Sequence, residues 1–304
     1  MNVLVTGITG YVGSRLAPRL VRDGHAVRGY ARRPNVESPD IETIAGDAVR
    51  GTGLARALDG VDVAYFLIHS MERSYDGAFD ARERAAAENF ARAAAAAGVK
   101  RVVYLGGLVP AGGPVSIHLR SRHAVEEILL AASPCSVAFR ASIVIGARSR
   151  SFRFLVHLVE RMPVLAVPAW HTHRTNPIDE RDMVELLARA ATNEHVCGEV
   201  FDVGGPDIVT YGELIERIRD HMLVRRPTVA FRRLYVTPIA SRVAAVIAGE
   251  DHDLVGPLME SLGEDLISRD NRGAQVAGVR LHSLDAAIEH ALREWEATEQ
   301  LAAR

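Results

Sequence analysis

The stretch that decides the fold runs from Asn2 to Gly13 and reads NVLVTGITGYVG. Its first five residues are rich in apolar and β-branched side chains, which predicts a short buried strand. Gly7, Gly10 and Gly13 follow this strand, and apolar residues at helical spacing then continue to Asp23. A strand, a glycine-rich turn and a helix in this order are typical of dinucleotide-binding α/β proteins, because the glycines let the backbone approach a pyrophosphate.

Strands and helices alternate along the rest of the chain. Further strands are predicted at 25–30, near 43–44, and at 63–68, 101–105, 137–145 and 200–203. Helices are predicted at 54–58, 76–97, 116–132, 151–161, 179–191, 211–221 and 283–300. Strands separated by helices of this length predict an α/β fold with a doubly wound parallel sheet. The alternative for the glycine motif, a plain strand–helix turn, fits this continuation less well.

Two regions follow from this pattern. Residues 1–150 are predicted to form the dinucleotide-binding core. Residues 151–304 are predicted to be mainly helical, to return a strand to the sheet and to form the substrate pocket. The apolar, proline-punctuated segment 234–266 is interpreted as a lid or pocket wall.

Composition excludes several classes of protein. The 304 residues carry 36 basic and 38 acidic side chains, a net charge of −2, which argues against a general nucleic-acid binder. No apolar run approaches the roughly 18 residues of a membrane span, and no basic leader is evident, so we expect a cytoplasmic protein. A homodimer is left open.

Cysteine and histidine usage predicts neither a disulfide framework nor a metal site. Cys135 and Cys197 are the only cysteines and form no CxxC motif. His171, His173 and the stretch 251–253 (DHD) have no further ligands at a recognisable spacing.

The end of the second strand predicts which dinucleotide binds. It reads GYARRP over residues 29–34, with Arg32 and Arg33 and no carboxylate. NAD-specific folds usually place an acid here for the ribose 2′-hydroxyl, whereas arginine pairs well with a 2′-phosphate. NADP(H) is therefore predicted over NAD(H), the alternative being two solvated arginines on a loop.

These motifs resemble the short-chain dehydrogenase/reductase superfamily, in particular its atypical, NmrA-like NAD(P)H-binding branch. The resemblance extends to Gly46-Asp47, to residues 58–62 (LDGVD) and 96–101 (AAGVKR), and to Asn176-Pro177-Ile178 with Asp182 and 201–206 (FDVGGP), as in extended members. It implies a Rossmann fold across essentially the whole chain.

The resemblance also assigns the cofactor contacts. The turn would hold the pyrophosphate through Gly7, Thr9, Gly10, Tyr11, Val12 and Gly13. Asp47 and Ala48 would flank the adenine. Leu67, Ile68 and His69 would line the ribose and nicotinamide, and Gly106 and Gly107 would follow the fifth strand beneath the nicotinamide.

The usual catalytic set of the superfamily has no counterpart here. That set is a serine after the fifth strand and a Tyr-x-x-x-Lys on the next helix. Gly106 and Gly107 occupy the serine position, that helix contains no tyrosine, and the only lysine, Lys100, precedes the strand. His118 and Arg122 stand four residues apart in the matching helix, and such a pair lies on one helical face.

We therefore predict His118 as the proton donor and Arg122 as a clamp for cofactor or substrate, because histidine titrates near neutral pH. The alternative is a polar pair on a surface helix. Substrate contacts are predicted for Ser70, Tyr75, Gly107 and Trp170.

The resulting prediction is an NADP(H)-dependent oxidoreductase that transfers a hydride to or from a small, largely apolar carbonyl or enone. Two alternatives remain. One is a non-catalytic NAD(P)H-binding sensor or scaffold, and the other is a redox-neutral isomerase or lyase with bound cofactor.

Overall fold

The computed structural model describes residues 1–33, 38–68, 79–110, 112, 117–162, 164–167, 169–230, 263–299 and 301. Its strands are β1 (Asn2–Thr6), β2 (Ala26–Ala31), β3 (Ile41–Ala45), β4 (Val63–Phe66), β5 (Arg101–Gly107), β6 (Val137–Ala141), β7 (Val144–Ile145), β8 (Leu165–Val167), β9 (Arg174–Thr175), β10 (Ile178–Asp179), β11 (Val200–Val203), β12 (Val209–Thr210) and β13 (Thr228–Ala230). Its α-helices are α1 (Tyr11–Arg22), α2 (Leu54–Leu58), α3 (Phe79–Ala96), α4 (Ile117–Leu130), α5 (Arg150–Arg161), α6 (Glu180–Arg189), α7 (Tyr211–His221), α8 (Arg272–Ala277) and α9 (Leu284–Glu296).

A seven-stranded sheet forms the centre of the molecule, in the order β11-β6-β5-β4-β1-β2-β3. Every pairing in it is parallel. The strand order reverses between β1 and β4, and in such sheets ligands bind outside the carboxyl ends of the strands at this switch point. The predicted doubly wound α/β fold is confirmed, and β11 returns to the sheet as expected.

Helices cover both faces of the sheet. One buried cluster joins the sheet to α1, α6 and α8, and a second joins it to α2, α3 and α4. A third core lies among α5, α7 and α9 in the C-terminal region. Among the residues that the structure describes, no helix is long and apolar enough to cross a membrane.

Local sequence explains where the helices begin and end. Leu16 and Leu20 lie one turn apart on the buried face of α1. Thr210 and Glu213 form a reciprocal capping box at the start of α7. Gly98, with φ +70°, follows α3 in the left-handed conformation that glycine adopts without steric cost.

Two predicted strands are shorter than expected. The strand predicted over 137–145 ends at Ala141, and β7 pairs instead with β10. The strand predicted over 63–68 ends at Phe66. In both cases the apolar run continues past the last strand residue, and apolar character alone does not mark where pairing stops.

The expectation of no disulfide is wrong, because Cys135 and Cys197 are bonded, with Cα atoms 4.5 Å apart. Cys135 lies two residues before β6, and Cys197 lies three residues before β11. These strands are neighbours and parallel, so the segments that lead into them meet at the amino edge of the sheet. The two cysteines are separated by 62 residues, and only the strand order brings them together.

Candidate cofactor and active site

The glycine turn after β1 has no room for side chains at two of its glycines. Gly7 has φ +63°, and a methyl group there would lie 2.6 Å from the carbonyl oxygen of Leu67. A methyl group on Gly13 would overlap the carbonyl of Gly7 and lie 2.9 Å from the Cα atom of Ile8. The turn therefore packs directly against the backbone at the end of β4.

The start of α1 suits an anion. Gly10 is the N-cap residue, no side chain caps the helix, and its first turn contains no acidic residue. Thr9 and Gly10 are exposed at this point. The unpaired amides and the positive end of the helix dipole can therefore receive a pyrophosphate. The residues present fit the predicted dinucleotide.

Arginines dominate the adenine side of the switch point. Arg32 and Arg33 follow β2, and both are exposed. Asp47 follows β3, but its carboxylate accepts from the backbone amides of Val49 (2.9 Å) and Arg50 (3.4 Å). This carboxylate is therefore engaged within its own loop.

The loop after β3 is also held from α3. The Asn89 side-chain amide donates to the carbonyls of Ala48 (3.0 Å) and Val49 (2.9 Å). This fixes the backbone of Ala48, one of the two residues predicted to flank the adenine.

The predicted nicotinamide side is formed by the ends of β4 and β5. Leu67 is buried, its amide donates to the Thr6 hydroxyl (3.1 Å), and Ile68 is half-buried. Gly106 and Gly107 are the last two residues of β5 and do not follow it as predicted. A methyl group on Gly106 would lie 2.8 Å from the ring of Tyr104, whereas one on Gly107 would meet only Leu119, at 3.8 Å.

Arg122 is buried between α3 and α4. Its Nε lies 3.7 Å from Oε1 of Glu83, a buried carboxylate that also accepts from the Ser121 hydroxyl at 2.8 Å. Tyr104 donates to the backbone carbonyl of Arg122 (3.3 Å), and burial raises the pKa of Tyr104 to about 12. Together with Ile68, these groups line a small recess beside the predicted nicotinamide side.

Sequence reasoning missed Glu83. It sits in the run Arg82-Glu83-Arg84 of an alanine-rich helix, where charge normally marks a solvated face. Glu83 lies three residues before Ala86, which is also buried, and this i, i+3 spacing was the signal that both residues lie on the buried face of α3.

Four predicted site residues have no side-chain position to compare. The backbone of His118 lies in α4, but its side chain is outside the described residues, so its meeting with Arg122 stays a prediction. His69, Ser70 and Tyr75 lie outside the described residues altogether, as does the predicted lid, 234–266, except for its last four residues.

Trp170 lies in the core of the C-terminal region. Its side chain is 4% exposed and belongs to the C-terminal core, where its ring meets that of Tyr211 edge to face at 6.0 Å. Its predicted contact with substrate stays a prediction. Among the described residues no group of three metal-ligating side chains occurs.

A buried polar cluster links the cofactor turn to the C-terminal region. The Tyr11 hydroxyl faces Glu180, the first residue of α6, and burial raises the pKa of both groups. Arg15 pairs with Glu180 (2.8 Å) and with Glu294 of α9. The side chain of Tyr11 therefore packs against α6, while its backbone belongs to the predicted pyrophosphate site.

Residues 7–133 match a protein-family model described as NAD(P)H-binding. The chain carries an NAD(P)H-binding domain. The matched residues include the glycine turn, both arginines after β2 and the whole of α4. The match supports the nucleotide-binding part of the resemblance to the short-chain dehydrogenase/reductase superfamily.

Three curated relatives are similar to the NAD(P)H-binding domain and its surroundings. A 3 beta-hydroxysteroid dehydrogenase/Delta 5-->4-isomerase of Mycobacterium tuberculosis is 32% identical over 40% of this chain and 37% of its own length. A ceramide reductase of Caulobacter vibrioides is 29% identical over 54% and 53%. A (4-alkanoyl-5-oxo-2,5-dihydrofuran-3-yl)methyl phosphate reductase of Streptomyces griseus is 29% identical over 69% and 70%. The matches therefore span about a third to two thirds of these relatives.

Solved structures share the fold over the whole chain. A short-chain dehydrogenase/reductase superfamily protein from Agrobacterium tumefaciens, with bound NAD, has a TM-score of 0.71 and 19% identity. The superposition covers 98% of this chain and 96% of that one. The three relatives are named as a dehydrogenase and two reductases, and the solved structure shares the fold of this chain.

Proposed function

We propose that this protein is an NADP(H)-dependent oxidoreductase that transfers a hydride to or from a small, largely apolar carbonyl or enone. The observation that carries the choice of cofactor is the end of β2, where the exposed Arg32 and Arg33 follow the strand and residues 26–34 contain no acidic residue. Asp47, the nearby acid, is occupied by its own loop. A 2′-phosphate would pair with the arginines, whereas a 2′-hydroxyl would find no acceptor from β2.

Different residues of this chain would bind the cofactor, donate the proton and hold the substrate. The turn from Gly7 to Gly13 binds the pyrophosphate with backbone amides and the start of α1. The nicotinamide, when bound, supplies or accepts the hydride. His118 donates a proton to the substrate oxygen during reduction. Arg122, held by Glu83, contacts the cofactor ribose or the substrate as a fixed clamp.

Apolar groups at the end of β6 support an apolar substrate. Ala141, Ile143 and Val144 are half-buried at the carboxyl edge of the sheet, next to the end of β5. Two of the relatives are named for steroid and ceramide chemistry, and both of those compound classes are largely apolar. By likeness to these relatives, we propose that this protein reduces or oxidises a carbonyl group on an apolar skeleton.

Charge reversal at the end of β2 tests the cofactor assignment. Arg32→Glu should weaken NADPH binding by about 10-fold or more, since a charge-assisted contact contributes roughly 1.5–3 kcal/mol. NADH binding should change by less than about 3-fold, since NADH lacks the 2′-phosphate. Arg56→Glu, at an exposed position on α2, is the matched control. Equal effects of Arg32→Glu on both nucleotides in a fluorescence titration would refute the 2′-phosphate assignment.

A sensor that binds NAD(P)H without turnover is the second candidate. It is favoured by one observation, that Gly106 and Gly107 end β5 without a hydroxyl group. Tight NADPH binding with no oxidation of NADPH by any ketone or enone tested would favour this candidate over the enzyme.

A further inference from the structure

The carboxyl end of β6 borders the predicted nicotinamide side. β6 pairs with β5, Ala141 lies opposite Gly107, and the Leu108 amide donates to the carbonyl of Ala141 at 3.1 Å. β6 also lies on the far side of β5 from the β1–β4 switch point. A substrate that faces the nicotinamide over β5 would therefore meet the residues that follow β6.

Ser142 is the hydroxyl residue at this edge. Within residues 106–110 and 141–147 it is the only residue with a side-chain hydroxyl, and it is half-buried. Its oxygen lies 2.8 Å from the Thr175 hydroxyl oxygen. Thr175 is completely buried, so this contact fixes the Ser142 hydroxyl from the protein side.

A buried tyrosine lies behind Thr175. The Tyr211 side chain is 1% exposed and faces Thr175, and burial raises its pKa to about 12, so it stays protonated. Among the described residues its hydroxyl has no hydrogen-bond partner of normal geometry. In the arrangement that leaves the Ser142 proton for the cleft, Thr175 donates to Ser142, and Tyr211 is the buried hydroxyl that can donate to Thr175.

We infer that Ser142 donates a hydrogen bond to the substrate carbonyl oxygen, with Thr175 as its positioning residue. This inference rests on the proposed function. During reduction the hydride adds to the carbonyl carbon, the π electron pair moves to oxygen, and that oxygen takes the proton of His118. Ser142 keeps its own proton and stabilises the charge that develops on oxygen, as a fixed donor does in an oxyanion hole.

Four variants test the inference, with NADPH and either 2-octanone or trans-2-nonenal as the probe. Ser142→Ala should lower kcat by roughly 100-fold, the scale for loss of one such donor. KM should change less, because the bond strengthens as negative charge develops. Thr175→Val should lower kcat by a smaller factor, and Thr175→Ser, which keeps the hydroxyl, should restore it.

The control is Ser136→Ala, at the amino end of the same strand, where the hydroxyl donates to the Ser133 carbonyl at 3.1 Å. It should leave kcat unchanged. NADPH affinity by fluorescence titration, and the melting temperature, should stay near wild type in Ser142→Ala. A loss of either would indicate a structural role and contradict the inference.

Isothermal titration calorimetry with 2-octanone, with NADP present, measures binding without turnover. Ser142→Ala should raise this dissociation constant by a few fold.

Two results separate failure of this inference from failure of the proposed function. If wild type turns over and Ser142→Ala keeps kcat within 2-fold of wild type, the role of Ser142 is overturned and the proposed reductase activity stands. No NADPH oxidation by wild type with any ketone or enone, and no binding of 2-octanone in the calorimetric titration, would overturn both.

Discussion

Replacement of Gly10 and of Gly13 by alanine should have different effects on cofactor binding and on folding. Gly10 has φ −77°, and a methyl group there would meet only the Gly7 carbonyl, its oxygen at 3.0 Å. That methyl group would stand at the exposed N-cap, where the pyrophosphate must approach. Gly13 is enclosed, and a methyl group there would overlap the Gly7 carbonyl. Gly10→Ala should therefore impair binding, and Gly13→Ala should impair both binding and folding.

The magnitudes follow from these contacts. Gly10→Ala replaces a favourable N-cap residue, which costs about 1 kcal/mol. Gly13→Ala forces backbone apart, at a cost of roughly 1–3 kcal/mol, or a fall in melting temperature of about 2 °C per kcal/mol for a chain of this size. NADPH affinity should fall at least about 10-fold in both variants, equivalent to roughly 1.4 kcal/mol.

Gly98→Ala is the matched control. Gly98 has φ +70°, and no atom of the described residues lies within 4 Å of the added methyl group. Its replacement therefore costs only the free energy of holding alanine in the left-handed conformation, about 1–2 kcal/mol. It lies after α3, away from the turn, and should lose stability while keeping its NADPH affinity. Thermal unfolding and a fluorescence titration measure the two quantities separately. Wild-type NADPH affinity in Gly10→Ala would refute the placement of the pyrophosphate at this turn.

Three other predictions concern stability. Cys135→Ser removes the disulfide, and the closure of its 62-residue loop corresponds to about 4 kcal/mol of stability. Once a reductant is added, wild type should melt at the same temperature as the variant. Unequal melting temperatures in reductant would contradict this. Arg140→Met should cost roughly 3–5 kcal/mol in urea unfolding, because it leaves the buried Glu126 without its two hydrogen bonds from arginine and with His123 as the remaining charged neighbour that the structure describes. Adding Glu126→Leu should recover more than half of this loss, and no recovery would contradict the prediction. The Arg174 amide and guanidinium lower the pKa of Asp265, so Asp265→Asn should reduce stability at pH 7 by less than about 1 kcal/mol. This difference should shrink as the pH falls and the carboxylate is protonated, and a difference that does not change with pH would contradict it.

The N-terminal half of the fold could be predicted from sequence because its signals are local. The run from Asn2 to Gly13 contains a strand, a turn and a helix start, and each has its own residue pattern. Helix ends marked by Gly24 and Gly98 were equally local. The Cys135–Cys197 bond was not, because it depends on β6 and β11 becoming neighbours although 62 residues separate the cysteines.

The residues of the candidate site also differ in whether their role could be predicted from local sequence. Gly7, Gly10 and Gly13 carry their role in backbone geometry, which a glycine motif expresses directly. Glu83 acquires its role only when α3 packs against α4 and places it beside Arg122. The pairing of Ser142 with Thr175 joins residues 33 apart that are separated by β7, α5 and β8, and no periodicity in the sequence marks it.

The most direct test of the account is NADPH consumption by the purified wild-type protein with a panel of apolar ketones and enones. The absorbance of NADPH and the reduced product are followed together, and each reaction is repeated with NADH. The account predicts that NADPH is oxidised in a one-to-one ratio with product, and that NADH is at least about 10-fold less effective. Product formed without net NADPH oxidation, or equal rates with both nucleotides, would contradict it.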